Sequence, residues 1–167
     1  MIKNFNSMFV TMFGVGKIKF APGTFGSLVT VLILFCLFHL LDISSNIILL
    51  GLIIIFFYSF YAIYTHTKTS PDKDPGEIVI DELLGQSIPI YLYEISHEID
   101  KNINEAIIYY IIFFFLFRFF DIVKPFPVNF FDKNYKNSFG VIMDDICAGF
   151  YVVLTLVCFM IVKSYIL

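Results

Sequence analysis

Charge is what this sequence has least of. Only 15% of its 167 residues are Asp, Glu, Lys or Arg, whereas 59% are hydrophobic. A soluble domain of this size is roughly a quarter charged, so there are too few charges here to cover a water-facing surface. The net charge of −3 is small, and the basic stretch Lys17 to Lys19 is short. Both argue against a nucleic-acid partner. Cysteine is also scarce: Cys36, Cys147 and Cys158 are an odd set with no C-x-x-C. That excludes a disulfide framework or a cysteine metal site, and the expectation is buried, inert thiols. Asn4 and Asn6 interrupt the weak apolar stretch at the N-terminus and no small-residue cleavage site follows, so no signal peptide is expected. There is no G-x-x-x-x-G-K-[ST] loop, no H-E-x-x-H and no G-x-S-x-G elbow. His39, His66 and His97 lie in unlike surroundings, which gives a phosphohistidine mechanism no nucleophile-and-acid pair. His39 reads as a hydrogen-bonded or interface residue, and His66 is the one plausible auxiliary.

What is present is a series of long apolar runs. The first extends from about Phe25 to Leu41, the second from about Ile47 to Tyr64, the fourth from about Ala106 to Phe120 and the fifth from about Ile146 to Val162. The third, about Ile78 to Tyr93, is short, holds Gln86 and Pro89, and begins with Asp81 and Glu82. It reads as a re-entrant loop, a buried helix or a short span. Pro22 and Gly23 break any helix arriving from the N-terminal side, and Thr24 is expected to cap the next, with Gly26 and Ser27 in its first turn. Residues 65 to 82 read as a loop around Pro71, Pro75 and Gly76. Residues 94 to 105 read as a solvated connection without chemistry, and 128 to 143 as a further connector. The expected fold is all-α: one polytopic membrane domain over residues 1–167, with four to five apolar helices and a polar site on the cytoplasmic face.

The early lysines place the N-terminus in the cytoplasm. If the third segment crosses, most of the remaining lysines fall on that same side, as the positive-inside rule prefers. Crossing also gathers the polar seams at one face: Gly23 and Thr24, Asp81 and Glu82, Arg118, Asp121, Lys124, and Asp144 with Asp145. Five carboxylates at one membrane surface repel each other unless cations neutralise them. Mg²⁺, a hard cation that takes oxygen ligands and binds substrate phosphates, is the natural candidate. Arg118 and Lys124 suit phosphate oxygens, and the N–H groups near Gly23 to Ser27 suit an anion at a helix start. Two other readings stay open from the residues alone. The charges can pair structurally in a small transporter or scaffold, which predicts ion pairs from Arg118 or Lys124 to nearby acids, or they can be ordinary interface anchors.

Four blocks then carry a resemblance: A-P-G-T-F-G-S at 21 to 27, D-P-G-E-I-V-I-D-E-L-L-G at 74 to 85, F-R-F-F-D-I-V-K-P-F-P at 117 to 127, and G-V-I-M-D-D-I-C-A-G at 140 to 149. In content, order and spacing they resemble the bacterial phosphatidylglycerophosphatase A family over nearly the whole chain. The chain departs from it at Asn137 and Ser138, where the family often carries a glycine pair. The resemblance implies a Mg²⁺-dependent phosphatase of the cytoplasmic membrane that converts phosphatidylglycerophosphate to phosphatidylglycerol and phosphate. It implies metal binding by Asp81, Glu82, Asp144 and Asp145, with Asp81 and Asp145 essential to turnover. Asp121 becomes a further ligand or a base. Arg118 and Lys124 become phosphate ligands, helped by Gly23, Thr24 and Ser27.

Overall fold

The computed structural model describes residues 2–68, 75–96 and 103–166. Part of the 65 to 82 loop, including Pro71, and residues 97 to 102 of the expected connection lie outside these residues. Among the described residues every regular element is helical. A short α1 (Ile2–Val10) and a 3₁₀ turn (Val15–Lys17) lead into α2 (Pro22–Phe35), which continues as a π-turn over Cys36–Leu40. Then come α3 (Ser45–Thr67), α4 (Ile80–Ser96), α5 (Ile103–Val123), α6 (Val128–Asn134) and α7 (Ser138–Ile166). Four helices are long and apolar enough to cross a membrane: Pro22–Leu40, Ser45–Thr67, Ile103–Val123 and Ser138–Tyr165. At 1.5 Å per residue each reaches about 30 Å or more, the thickness of a hydrocarbon core. Their outward faces carry Leu32, Leu50, Ile54, Phe57, Phe115, Phe119, Leu154 and Phe159, all exposed. Apolar surface on this scale is ruinous in water and ordinary against lipid.

The third apolar segment is the centre of the bundle. Helix α4 is 17 residues long, shorter than its neighbours, yet it runs from one end of the bundle to the other. Its first turn meets Gly23 at the start of α2 and Arg118 near the end of α5. Its last turn meets His39 at the far end of α2 and Tyr110 near the start of α5. A re-entrant loop does not make both sets of contacts. Two glycines let α4 lie against α7. A Cβ on Gly85 would strike the Asp145 carbonyl and stand 2.7 Å from the Phe117 ring, and a Cβ on Gly149 would strike the Gly85 carbonyl. Pro89, four residues on, has no N–H to donate to that carbonyl. Small residues at such a crossing bring membrane helices within van der Waals range.

Several sequence-based boundaries move. Thr24 is not the cap of α2: Ala21 is, at φ 46°, with Pro22 as the first helical residue. Proline suits that position because its missing N–H would have no intrahelical partner there. Helix α7 starts eight residues before the apolar run at Ile146, so Asp144 and Asp145 lie inside a helix. Asn137 starts it, its Oδ1 accepting the N–H groups of Phe139 at 3.0 Å and Gly140 at 3.1 Å. The departure from a glycine pair thus installs a helix cap. The 128 to 143 connector contains α6. Glu94 is not in a solvated connection either. It closes α4, is buried, and accepts hydrogen bonds from His39 Nε2 and the Tyr110 hydroxyl, both at 2.9 Å. The cysteines are free as expected, but Cys36 and Cys158 are exposed rather than buried, and Cys147 is half-buried against the core.

Candidate functional site

The polar seams converge at the start of α4. Asp81 and Glu82 occupy its first turn, where a helix N-terminus favours negative charge. The α4–α7 crossing at Gly85 brings Asp145 alongside. Asp81, Glu82 and Asp145 each present a carboxylate oxygen, and these oxygens lie within 4.8 Å of one another. At an effective dielectric of about 20, each such pair repels by about 3 kcal/mol. Arg118 offsets part of this. Its Nη1 stands 2.6 Å from Asp121 Oδ2, 3.9 Å from Glu82 Oε1 and 3.4 Å from Ser27 Oγ. Four carboxyl groups crowd this one guanidinium. Glu82 Oε2 is buried without a hydrogen-bond partner among the described residues. A crowd of hard oxygen donors with an unpartnered inner oxygen fits a small divalent cation.

Gly23 leaves room for the site's side chains. A Cβ there would land on Glu82 Oε1 and stand 3.2 Å from Arg118 Nη1. Ser27, one turn on, is fully buried; its hydroxyl donates to the Gly23 carbonyl at 2.9 Å. The backbone cradle is smaller than the sequence suggests. The N–H groups of Thr24 and Phe25 turn back to the Ala21 carbonyl at 3.0 and 3.3 Å.

Lys124 and Asp144 form a second group. Neighbouring residues on a helix point about 100° apart, so Asp144 diverges from Asp145 toward Lys124. Lys124 adopts the left-handed φ of 47° just after α5, a conformation that costs a non-glycine residue about 1 kcal/mol. Its Nζ donates to Asp132 Oδ1 at 2.8 Å and to Asp144 Oδ2 at 3.0 Å. Desolvation lowers the Lys124 pKa, but the two carboxylates outweigh it and the net shift is upward. Asp132 was missed by sequence reasoning; it lies in the expected connector, eight residues from its partner. His66 sits apart, bonded to Glu77 at 2.9 Å.

The fold and the site together define a helical membrane protein with an acidic cluster and a guanidinium at one end of its bundle. The chain belongs to the phosphatidylglycerophosphatase A family, whose model matches residues 8–160, and its class is that of a membrane phosphatase. It is 37% identical over 145 residues to phosphatidylglycerophosphatase A of Haemophilus influenzae, covering 85% of this chain and 80% of that protein. It is 30% identical over 138 residues to the Escherichia coli protein of the same name, covering 82% and 73%. A putative phosphatidylinositol-3-phosphatase of Bacteroides thetaiotaomicron is 35% identical over 144 residues, covering 84% of each chain. No solved structure matches.

Proposed function

We propose that this protein is a Mg²⁺-dependent phosphatidylglycerophosphatase, hydrolysing the terminal phosphomonoester of phosphatidylglycerophosphate to give phosphatidylglycerol and phosphate. The observation that carries the reading is the convergence of Asp81, Glu82 and Asp145 beside Arg118, in a chain of this family. The ion pairs expected of a structural scaffold are also present, from Arg118 to Asp121 and from Lys124 to Asp132 and Asp144. They do not favour that alternative, because a phosphate-binding cation rests on acids when no phosphate is bound.

Asp81, Glu82 and Asp145 would hold the metal, with Asp144 reached through water. When bound, Mg²⁺ supplies neutralisation of the phosphoryl oxygens and acidifies water beside them. Arg118 binds the phosphoryl oxygens and stabilises the charge that builds on them. Asp121 holds the guanidinium in place and serves as the base that takes the water's proton. Lys124, between Asp132 and Asp144, meets the phosphate from the other side. Gly23 and Ser27 line the face where it docks. The site lies at the cytoplasmic surface of the inner membrane, which puts the lipid phosphate at headgroup level and its acyl chains against the apolar helices.

The name of the Bacteroides relative supports a second headgroup, an inositol 3-phosphate. The purified protein in detergent micelles is offered phosphatidylglycerophosphate, phosphatidylinositol 3-phosphate or soluble glycerol 3-phosphate with Mg²⁺, and phosphate is measured. The expected order places phosphatidylglycerophosphate first by at least tenfold in kcat/KM. Faster release from the inositol lipid reassigns the substrate, and release from none of the three rejects the reading.

A further inference from the structure

Gln86 is fully buried, and neither its Nε2 nor its Oε1 has a hydrogen-bond partner among the described residues. A buried amide left unpaired costs a protein free energy and calls for an explanation. Gln86 lies one turn after Glu82 on α4, so the two side chains share a face. The remaining unpartnered buried side-chain atoms among the described residues are Glu82 Oε2 and Arg118 Nε, and these two residues face each other across the site. The set is balanced: Gln86 Nε2 and Arg118 Nε donate, whereas Gln86 Oε1 and Glu82 Oε2 accept. A buried water needs about two to four such partners, and it offers two donors and two acceptors in return. A carboxylate oxygen has two lone pairs, so Glu82 Oε2 serves a cation and a water together.

We propose that Gln86 is a positioning residue of the phosphatase site, holding internal water that ties Arg118 to the inner oxygen of Glu82. The inference rests on the phosphatase reading. Gln86 touches neither phosphate nor metal; it sets the orientation of the two groups that do. It is a polar group one turn along α4 from Glu82, the last charged residue before it.

The test replaces the amide with an apolar side chain of the same length, Gln86→Met, in the full-length protein in detergent. Wild-type phosphate release with Mg²⁺ is the reference; its absence rejects the phosphatase reading, not this one. The variant is expected to lower kcat at least tenfold, to change KM for phosphatidylglycerophosphate less than threefold, and to unfold in EDTA at the wild-type temperature or above. A merely structural Gln86 gives the opposite pattern, a lower unfolding temperature with kcat per folded molecule unchanged. Gln86→Asn, which keeps the amide but withdraws it by roughly 1.5 Å, is expected to lose at least threefold in kcat. Either variant folding with kcat within twofold of wild type overturns the proposal. So does failure of both to fold, because that makes the amide a structural element.

Discussion

Glu82 and Glu94 stand at opposite ends of α4, and both are largely shielded, with 12% and 3% of their side chains exposed. Their surroundings differ. Glu94 accepts hydrogen bonds from His39 and Tyr110 and packs beneath the aromatic contacts of Phe35, His39 and Tyr110. Glu82 shares its end with Asp81, Asp145 and Asp121, and its inner oxygen is unpartnered among the described residues. A satisfied buried polar network fixes the register of the helices that form it. A crowded, incompletely satisfied one is strained until a ligand completes it. On the proposed reading, one end of α4 is a structural clamp and the other a binding site, and the same residue type serves both.

The comparison is broken most severely at the site end. Asp81→Asn or Asp145→Asn removes one of the converging carboxylates and is expected to lower phosphate release by about 100-fold or more. The unfolding temperature in EDTA should hold or rise, since a repelling charge has gone. Near-normal activity at saturating Mg²⁺ would show that these acids are not the metal ligands. At the other end, Glu94→Ala strips His39 and Tyr110 of their shared acceptor and should cost about 3 kcal/mol of stability, with activity per folded molecule kept. Tyr110→Phe, which removes one hydrogen bond, should cost about 1 kcal/mol. Thermal or denaturant unfolding in detergent, paired with phosphate release, measures both effects; a Glu94 variant that stays stable and loses turnover would erase the distinction between the ends.

Between the ends lies the crossing that connects them to α7. In an ordinary helix interior Gly→Ala is worth about 1 kcal/mol in the favourable direction. Gly149→Ala is expected to cost about 1–3 kcal/mol instead, because the methyl meets the Gly85 carbonyl. It should lower activity as well, since it pushes Asp145 from Asp81 and Glu82. Stability gained on this substitution would mean that the helices do not cross so closely.

The smallest effect is at Lys124. Burial raises the Asp132 carboxyl, but the Lys124 hydrogen bond and charge outweigh it and hold it below the ordinary carboxylate range. The stability from this pair is therefore fully present above the ordinary Asp value of about 3.9 and is lost as pH falls through the lower folded value. Asp132→Asn should lower phosphate release about threefold, by the same factor from about pH 5 to 8. A ratio that changes within that window would point to a different titrating partner.

Much of this was legible in the sequence. Long apolar runs announced the helices, and the acids at their seams pointed to the candidate site, because ionisable groups are costly at those depths unless they have work to do. The rest required three dimensions. Glu94 reads as part of a polar connection because its partners stand 55 and 16 residues away. Asp144 and Asp145 read as one unit, although helical geometry sends them to different partners. Asp132 reads as a connector residue until α6 folds back on Lys124. Gln86 did leave a signal: an uncharged amide in an apolar segment, four residues after Glu82. Its lack of a partner became visible only with its neighbours in place.

The central claim is that the acids at the start of α4 act through a divalent cation. Phosphate release from phosphatidylglycerophosphate by the wild-type protein and by Asp145→Asn, titrated with Mg²⁺ from an EDTA-treated state, tests it most directly. The account predicts no release in EDTA, saturable recovery with Mg²⁺ in the wild type, and no comparable recovery in Asp145→Asn. Full wild-type release in EDTA, or the same Mg²⁺ response in both proteins, would contradict it.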